Sequence, residues 1–189
     1  MSSNSPRKHS GGPAVIIEIG NDWLKMAQSA PARGGVAISR LYLEKFGSAG
    51  TGVSQLISQA IRKQKFSRMP VIACLPRQVV NMRMLELPST DPNEIADMVD
   101  LQIGKQTPYS KDEIVSDYKI LGSSREGYSR IMLVIVQRGV LRQRFSILEE
   151  AGVEVQRMSV STEGLLNWCR QSLGGGGKVT AVLDVDSFY

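Results

Sequence analysis

The stretch "MRMLELPSTDPNEIADMVDLQIGKQTPYSKDEIVSDYKILG", residues 82–122, decides the fold. Its first six residues predict a strand, and Pro88 stops that strand. The segment Asp91–Glu94 then combines a capping residue, a proline at the first helical position and an acidic third residue, which predicts a helix. A second strand is predicted over 114–121. The stretch therefore predicts a strand-helix-strand unit.

The patterns around this stretch predict a mixed sheet covered by helices, an α/β fold. Upstream, two short strands and a longer one precede a helix capped by Thr51 and a buried strand at 71–75. Downstream, a strand at 129–136 completes a β-α-β-β unit. The predicted organisation is a flexible leader at 1–13, a core at 14–78, an inserted β-α-β-β subdomain at 79–160 and a return to the core at 161–189.

The composition excludes several classes of function. The 23 Lys and Arg residues exceed the 18 Asp and Glu residues, but they are scattered with few aromatics between them, which predicts a solvated surface and no nucleic-acid partner. The only histidine, His9, lies in the leader, which removes most His-dependent catalysis and metal binding. No apolar run is long enough to span a bilayer. No nucleophile-base pair or metal cluster is seen, so no catalytic or metal-ligating residue is assigned.

The stretch "VIIEIGNDWLKMAQS", residues 15–29, predicts a hairpin with a carboxylate on its first strand and a lysine on its second. A strand that ends in an acidic residue and a glycine turn can present backbone N–H groups to a phosphate. Two interpretations of Glu18 stay open with equal weight. Its carboxylate caps the N–H groups of its own turn, or it belongs to a weakened nucleotide site.

Four stretches in the same order resemble the N-terminal half of the PilM family of type IV pilus assembly proteins, which is related to FtsA and to the cytoplasmic part of GspL. They are the hairpin at 15–29, the strand-helix-strand stretch at 82–122, the segment "IMLVIVQRGVLRQRFSILEEAGVEVQRMSVSTEGLLNW" at 131–168 and "VTAVLDVDSFY" at 179–189. The resemblance implies an actin-like, ribonuclease H-like first domain with the inserted subdomain.

The resemblance also implies two phosphate motifs that bind ATP and Mg²⁺. The residues carried over to these motifs are Glu18, Gly20, Asn21, Asp22, Lys25, Asp184 and Asp186. Two of them depart from the family pattern, since Glu18 replaces an aspartate and Asp186 replaces a glycine. A carboxylate beside a polyphosphate repels it, so ATP binding is expected to be weak or lost, and the chain is not expected to act as an enzyme by itself.

The function implied by the resemblance is that of a cytoplasmic scaffold in a type IV pilus or related type II secretion machine. A groove between core and subdomain is expected to bind the N-terminal tail of a PilN-like protein, which recruits the chain to the inner membrane. The strand edges at 82–87 and 129–136 are expected to accept an added strand. Self-association is a further expected contact. The alternative is an ATP-binding switch whose site is completed by a missing C-terminal half.

Overall fold

The computed structural model of the protein describes residues 12–33, 35–47, 52–172 and 181–183. These residues form eight strands and four α-helices, which confirms the predicted mixed α/β class. The strands are β1 (Val15–Ile19), β2 (Trp23–Ala32), β3 (Gly35–Lys45), β4 (Val71–Leu75), β5 (Asn81–Leu87), β6 (Ile114–Ser123), β7 (Ser129–Gln137) and β8 (Val155–Val160). The helices are α1 (Val53–Lys63), α2 (Pro92–Gln106), α3 (Arg138–Glu150) and α4 (Ser161–Ser172).

The chain divides into two compact units. The first contains residues 1–74, 148–159 and 176–189, and the second contains residues 75–147 and 160–175. The predicted domain boundaries at 79 and 160 stay a prediction, although the strand pairing assigns β8 to the sheet that holds β4. The leader residues 1–11, the cap residue Thr51 and the residues from 184 onward lie outside the described residues.

The first sheet has five strands in the order β3-β2-β1-β4-β8. Strands β1 and β2 form the predicted antiparallel hairpin, β4 runs parallel to β1, and β3 pairs antiparallel with β2. One face of the hairpin is buried through Val15, Ile17 and Ile19 of β1 and through Leu24 and Met26 of β2. The alternation of buried and partly exposed residues along β1 is the pattern of a strand with one packed face.

Two helices have a glycine in the left-handed region next to one end. Helix α1 begins after Gly52, whose φ of 87° lies in the left-handed region, and it has no side-chain cap. Helix α3 ends before Gly152, whose φ is 73° and whose N–H donates to the carbonyl of Glu149 at 2.8 Å. A residue with a side chain is disfavoured at both positions because Cβ crowds the backbone there.

The second sheet has three antiparallel strands in the order β5-β7-β6, and α2 covers one of its faces. The buried core between them consists of Leu87, Ile95, Val99, Ile103, Ile114, Ile131, Leu133 and Ile135. Asp91 caps α2 as predicted, since its carboxylate accepts from the N–H groups of Asn93 at 2.8 Å and Glu94 at 3.2 Å.

The position of β7 corrects one prediction. A free edge was predicted at 129–136 as well as at 82–87, but β7 is the central strand and pairs with β5 on one side and β6 on the other. Of the two strands predicted to offer an edge, β5 is an outer strand of the sheet and β7 is not. None of the helices in the described residues is both long and apolar enough to cross a membrane.

Candidate functional site

The turn between β1 and β2 is closed by its own backbone. The N–H of Gly20 donates to the carbonyl of Trp23 at 2.8 Å. A Cβ at residue 20 would lie 3.2 Å from that same carbonyl oxygen, which is tighter than ordinary packing allows. A side chain at residue 20 would therefore force the Trp23 carbonyl to shift by a few tenths of an ångström, and the N–H of Gly20 is already used within the turn.

Glu18 and Lys25 face each other across the hairpin. They are register partners on β1 and β2, and Nζ of Lys25 lies 2.9 Å from Oε1 of Glu18. The side chain of Glu18 is 13% exposed and that of Lys25 is 42% exposed, so one end of the pair is shielded and the other is in water. Cross-strand pairs of opposite charge stabilise a sheet modestly. The sequence motif thus brings both predicted residues together, as an ion pair between strands.

Asp22 connects the turn to β3. Its carboxylate is almost completely buried and lies 3.5 Å from Nζ of Lys45, while its backbone carbonyl accepts from the N–H of Phe46 at 2.8 Å. The ammonium group of Lys45 also lies 6.0 Å from the centre of the Trp23 ring, within reach of a cation-π interaction. Lys45 was missed by the sequence reasoning. The signal that points to it is the antiparallel register, which sets Lys45 opposite Trp23.

The described residues of the hairpin do not fit a phosphate group. Both carboxylates already lie beside a lysine of the same unit, and the N–H of Gly20 is bonded within the turn. A phosphate placed here would have to approach two carboxylates, and like charges repel strongly when water is excluded. Asn21 is exposed and has no described role. Asp184 and Asp186 lie outside the described residues, so the assignment of all seven residues to ATP and Mg²⁺ stays a prediction.

A second candidate surface lies in the second unit, on the sheet face that α2 does not cover. Met82 and Met84 of β5 lie opposite Val134 and Met132 of β7, on this face. The hydroxyl of Thr162 in α4 lies 3.8 Å from Sδ of Met82. Met84 is 54% exposed at the outer edge of the sheet. Flexible, polarizable thioethers at a free strand edge can adapt to different apolar side chains.

Comparison with known proteins identifies the family. The model of the family described as type IV pilus assembly protein PilM matches residues 44–187, more than half of the chain. The chain belongs to the PilM family. This confirms the resemblance inferred from the four sequence stretches. No protein with a curated functional description matches the chain significantly.

Solved structures support the fold of this PilM-family chain. A structure of the PilM-PilN type IV pilus biogenesis complex matches with a TM-score of 0.73 and 18% identity, over 85% of this chain and 51% of that chain. The cytoplasmic domain of EpsL, an inner-membrane component of the type II secretion system of Vibrio cholerae, matches with a TM-score of 0.55 and 10% identity, over 79% of this chain and 57% of that one. The chain thus spans about half the length of the PilM structure it matches.

Proposed function

We propose that this PilM-family chain is a scaffold component of a pilus assembly machine and that it binds the N-terminal tail of a PilN-like membrane protein. Membership in the PilM family carries the proposal, and the similar structure of a PilM-PilN complex supports it. Binding of the tail recruits the chain to the inner membrane, because the membrane-bound partner then holds it there. The related secretion component EpsL, also of the inner membrane, is consistent with this place of action.

The second unit offers a defined place for an extended tail. Strand β5 has β7 on one side and no strand of the described residues on the other. An extended peptide can add to such an edge, with main-chain hydrogen bonds supplying affinity and pockets for alternate side chains supplying specificity. Met82 and Met84 are alternate residues of β5 on one face of the sheet, so they give apolar contacts for alternate side chains of the added strand. We place the tail at β5 on this basis.

A binding measurement with matched variants tests this placement. A fluorescent peptide with the N-terminal sequence of the PilN-like partner is titrated with the full chain and anisotropy is recorded. We expect Met84→Lys to weaken binding by at least about tenfold, because the lysine loses apolar contact at the edge. Leu101→Lys is the control, since Leu101 lies on α2 of the same unit and is 74% exposed.

Two results would count against the proposal. Failure of the parent chain to bind the peptide at high concentration removes the recruitment function. Equal weakening of binding by Met84→Lys and Leu101→Lys would still support a PilN-like partner but would show that the tail does not bind at β5. Recruitment itself is measured by sedimentation of the chain with membranes that contain or lack the partner, and we expect the chain in the pellet only when the partner is present.

A further inference from the structure

Strand β3 exposes a row of large apolar side chains on one face of the first sheet. Val36, Ile38, Leu41 and Leu43 are between 47% and 75% exposed. Their partners across β2 are Pro31, Ser29, Ala27 and Lys25, respectively. These partners are alternate residues of β2, and paired residues share a face, so all four apolar side chains lie on the same side of the sheet. We call these four residues the β3 stripe.

The hydrogen bond of Phe46 fixes which backbone groups of β3 point away from the sheet. Its N–H donates to the carbonyl of Asp22 at 2.8 Å, so residue 46 directs its backbone toward β2. Hydrogen-bonded and non-hydrogen-bonded pairs alternate along an antiparallel ladder. Glu44 and Tyr42 therefore also direct their backbone groups to β2. Leu43 and Leu41 direct theirs outward, where β3 is the end strand of the sheet.

The charges on β3 select one register for a second copy of the strand. Antiparallel pairing of two copies must match outward-pointing residues with each other. In one such register, Leu41 of the first copy pairs with Leu43 of the second copy. Arg40 of the first copy then lies opposite Glu44 of the second copy, and the twofold axis generates the same pair a second time. A shift by two residues in either direction sets a charged residue opposite an apolar one. Opposite charges that face each other across strands stabilise pairing, and mismatched ones weaken it.

Tyr42 lies on the twofold axis in this register and faces Tyr42 of the second copy. Its hydroxyl is hydrogen-bonded to the carboxylate of Glu44. Burial, together with this hydrogen bond and the charge of Glu44, raises the pKa of Tyr42 to about 12. Two aromatic rings meet at the axis in this register, and aromatic cross-strand pairs are favourable.

A register shift between β2 and β3, with Ser39 of β3 as the extra residue, limits the length of the paired segment. Pairing slips between Gln28 and Ser29, opposite Ser39 of β3, whose hydroxyl donates to the carbonyl of Gln28 at 3.1 Å. A bulge of this kind bends a strand and increases its twist. The straight part of the edge therefore runs from Arg40 to Lys45. A twofold contact over this part uses the same surface on both copies and closes at two chains.

We infer that the chain forms a twofold dimer in which the β3 strands of two copies pair antiparallel, Leu41 against Leu43. The two sheets become one continuous sheet, and four leucines meet on one face while two Arg40–Glu44 pairs form on the other. Arg40, Leu41, Tyr42 and Leu43 precede the residues that the family model matches, and Glu44 is the first residue of the match. The interface is short, and such interfaces are weak and depend on concentration.

Sedimentation velocity of the 189-residue chain over a range of concentrations tests the dimer. We expect a concentration-dependent monomer-dimer equilibrium that Leu41→Asp abolishes. The matched control is Leu101→Asp, because Leu41 is 75% exposed and Leu101 is 74% exposed. Circular dichroism confirms that both variants are folded. A monomer at every concentration, or equal loss in both variants, overturns the inference, as does growth beyond two chains.

Charge reversal tests the register. Arg40→Glu is expected to weaken the dimer by about tenfold, because two pairs change from attraction to repulsion. The double variant Arg40→Glu with Glu44→Arg restores the opposite charges and is expected to recover most of the affinity. An equally weak or weaker double variant overturns the register.

A disulfide at the axis gives a readout that does not depend on affinity. In a non-hydrogen-bonded pair the Cα atoms lie about 4.5 Å apart, which is within the range for a disulfide. Tyr42→Cys is therefore expected to form a covalent dimer under mild oxidation. Ile38→Cys is more exposed but lies about 26 Å from its copy in this register, at about 3.3 Å for each residue, and is not expected to cross-link. The parent chain controls for Cys74 and Cys169, and cross-linking through Ile38→Cys alone overturns the register.

Discussion

The two sheets of the protein contain similar apolar residues, but they differ in how the central strand of one and the outer strand of the other are covered. In the three-stranded sheet, α2 lies over β7, and Ile131 and Leu133 are completely buried. In the five-stranded sheet, Leu41 and Leu43 of the outer strand are mostly exposed. An apolar strand pattern thus identifies a strand, whereas the partner that covers the strand depends on residues far away in the chain or in another molecule.

The largest expected effect that separates the two sheets is the loss of a buried leucine. Leu133→Ala leaves a cavity beside α2 and is expected to lower the free energy of unfolding by about 2–5 kcal/mol. Leu41→Ala removes a side chain that makes few contacts and is expected to change it by less than about 0.5 kcal/mol at concentrations where the chain is monomeric. Urea denaturation of both variants measures the contrast. Similar losses in the two variants would show that Leu41 is packed as tightly as Leu133.

Local signals explain why the packed unit was predictable. Asp91, Pro92 and the apolar spacing that follows them predict helix α2, and all of these signals lie within one short stretch. The covered face of β7 follows from the same stretch, because the helix connects β5 to β6 of the same sheet. The central place of β7 was not predictable, since it depends on which strands pair. The error at 129–136 therefore comes from topology and not from the strand assignment.

Loss of the α2 cap is expected to have the second largest effect on the free energy of unfolding. Asp91→Ala removes the acceptor of two helix N–H groups and is expected to cost about 1 kcal/mol of stability, measured by urea denaturation. Asp91→Asn keeps an acceptor and serves as the control, with little change expected. Helix α1 begins after Gly52 without a side-chain cap, so α1 has no equivalent contribution to lose. A loss in Asp91→Asn as large as in Asp91→Ala would show that the charge and not the hydrogen bonds stabilises α2.

The candidate phosphate hairpin was predictable as a structure but not in its electrostatics. Glu18, Gly20 and Lys25 were correctly placed near one another, because a two-strand hairpin with a short turn fixes its register. The pairing of Asp22 with Lys45 was not predictable. It depends on the register of β3 against β2, and the irregularity at Gln28 and Ser29 shifts that register by one residue.

The smallest expected effect concerns the ion pair between Glu18 and Lys25. A double-mutant cycle with Glu18→Gln and Lys25→Met is expected to give a coupling energy of about 0.2–1 kcal/mol, since the lysine is partly in water and the charge is screened. Higher salt should reduce this coupling, because screening weakens exposed pairs. The control is the unsubstituted chain at raised salt, which shows how salt alone changes the free energy of unfolding.

The same cycle distinguishes a structural hairpin from a working phosphate loop when it is repeated with MgATP. A site with a dissociation constant of about 10 μM would add about 2.7 kcal/mol of stability at about 1 mM ligand, several times the coupling energy itself. We expect no such gain, because both carboxylates of the turn already have a lysine beside them. A gain of that size, lost in Glu18→Gln, would restore the nucleotide-switch alternative and make the first sheet the functional one.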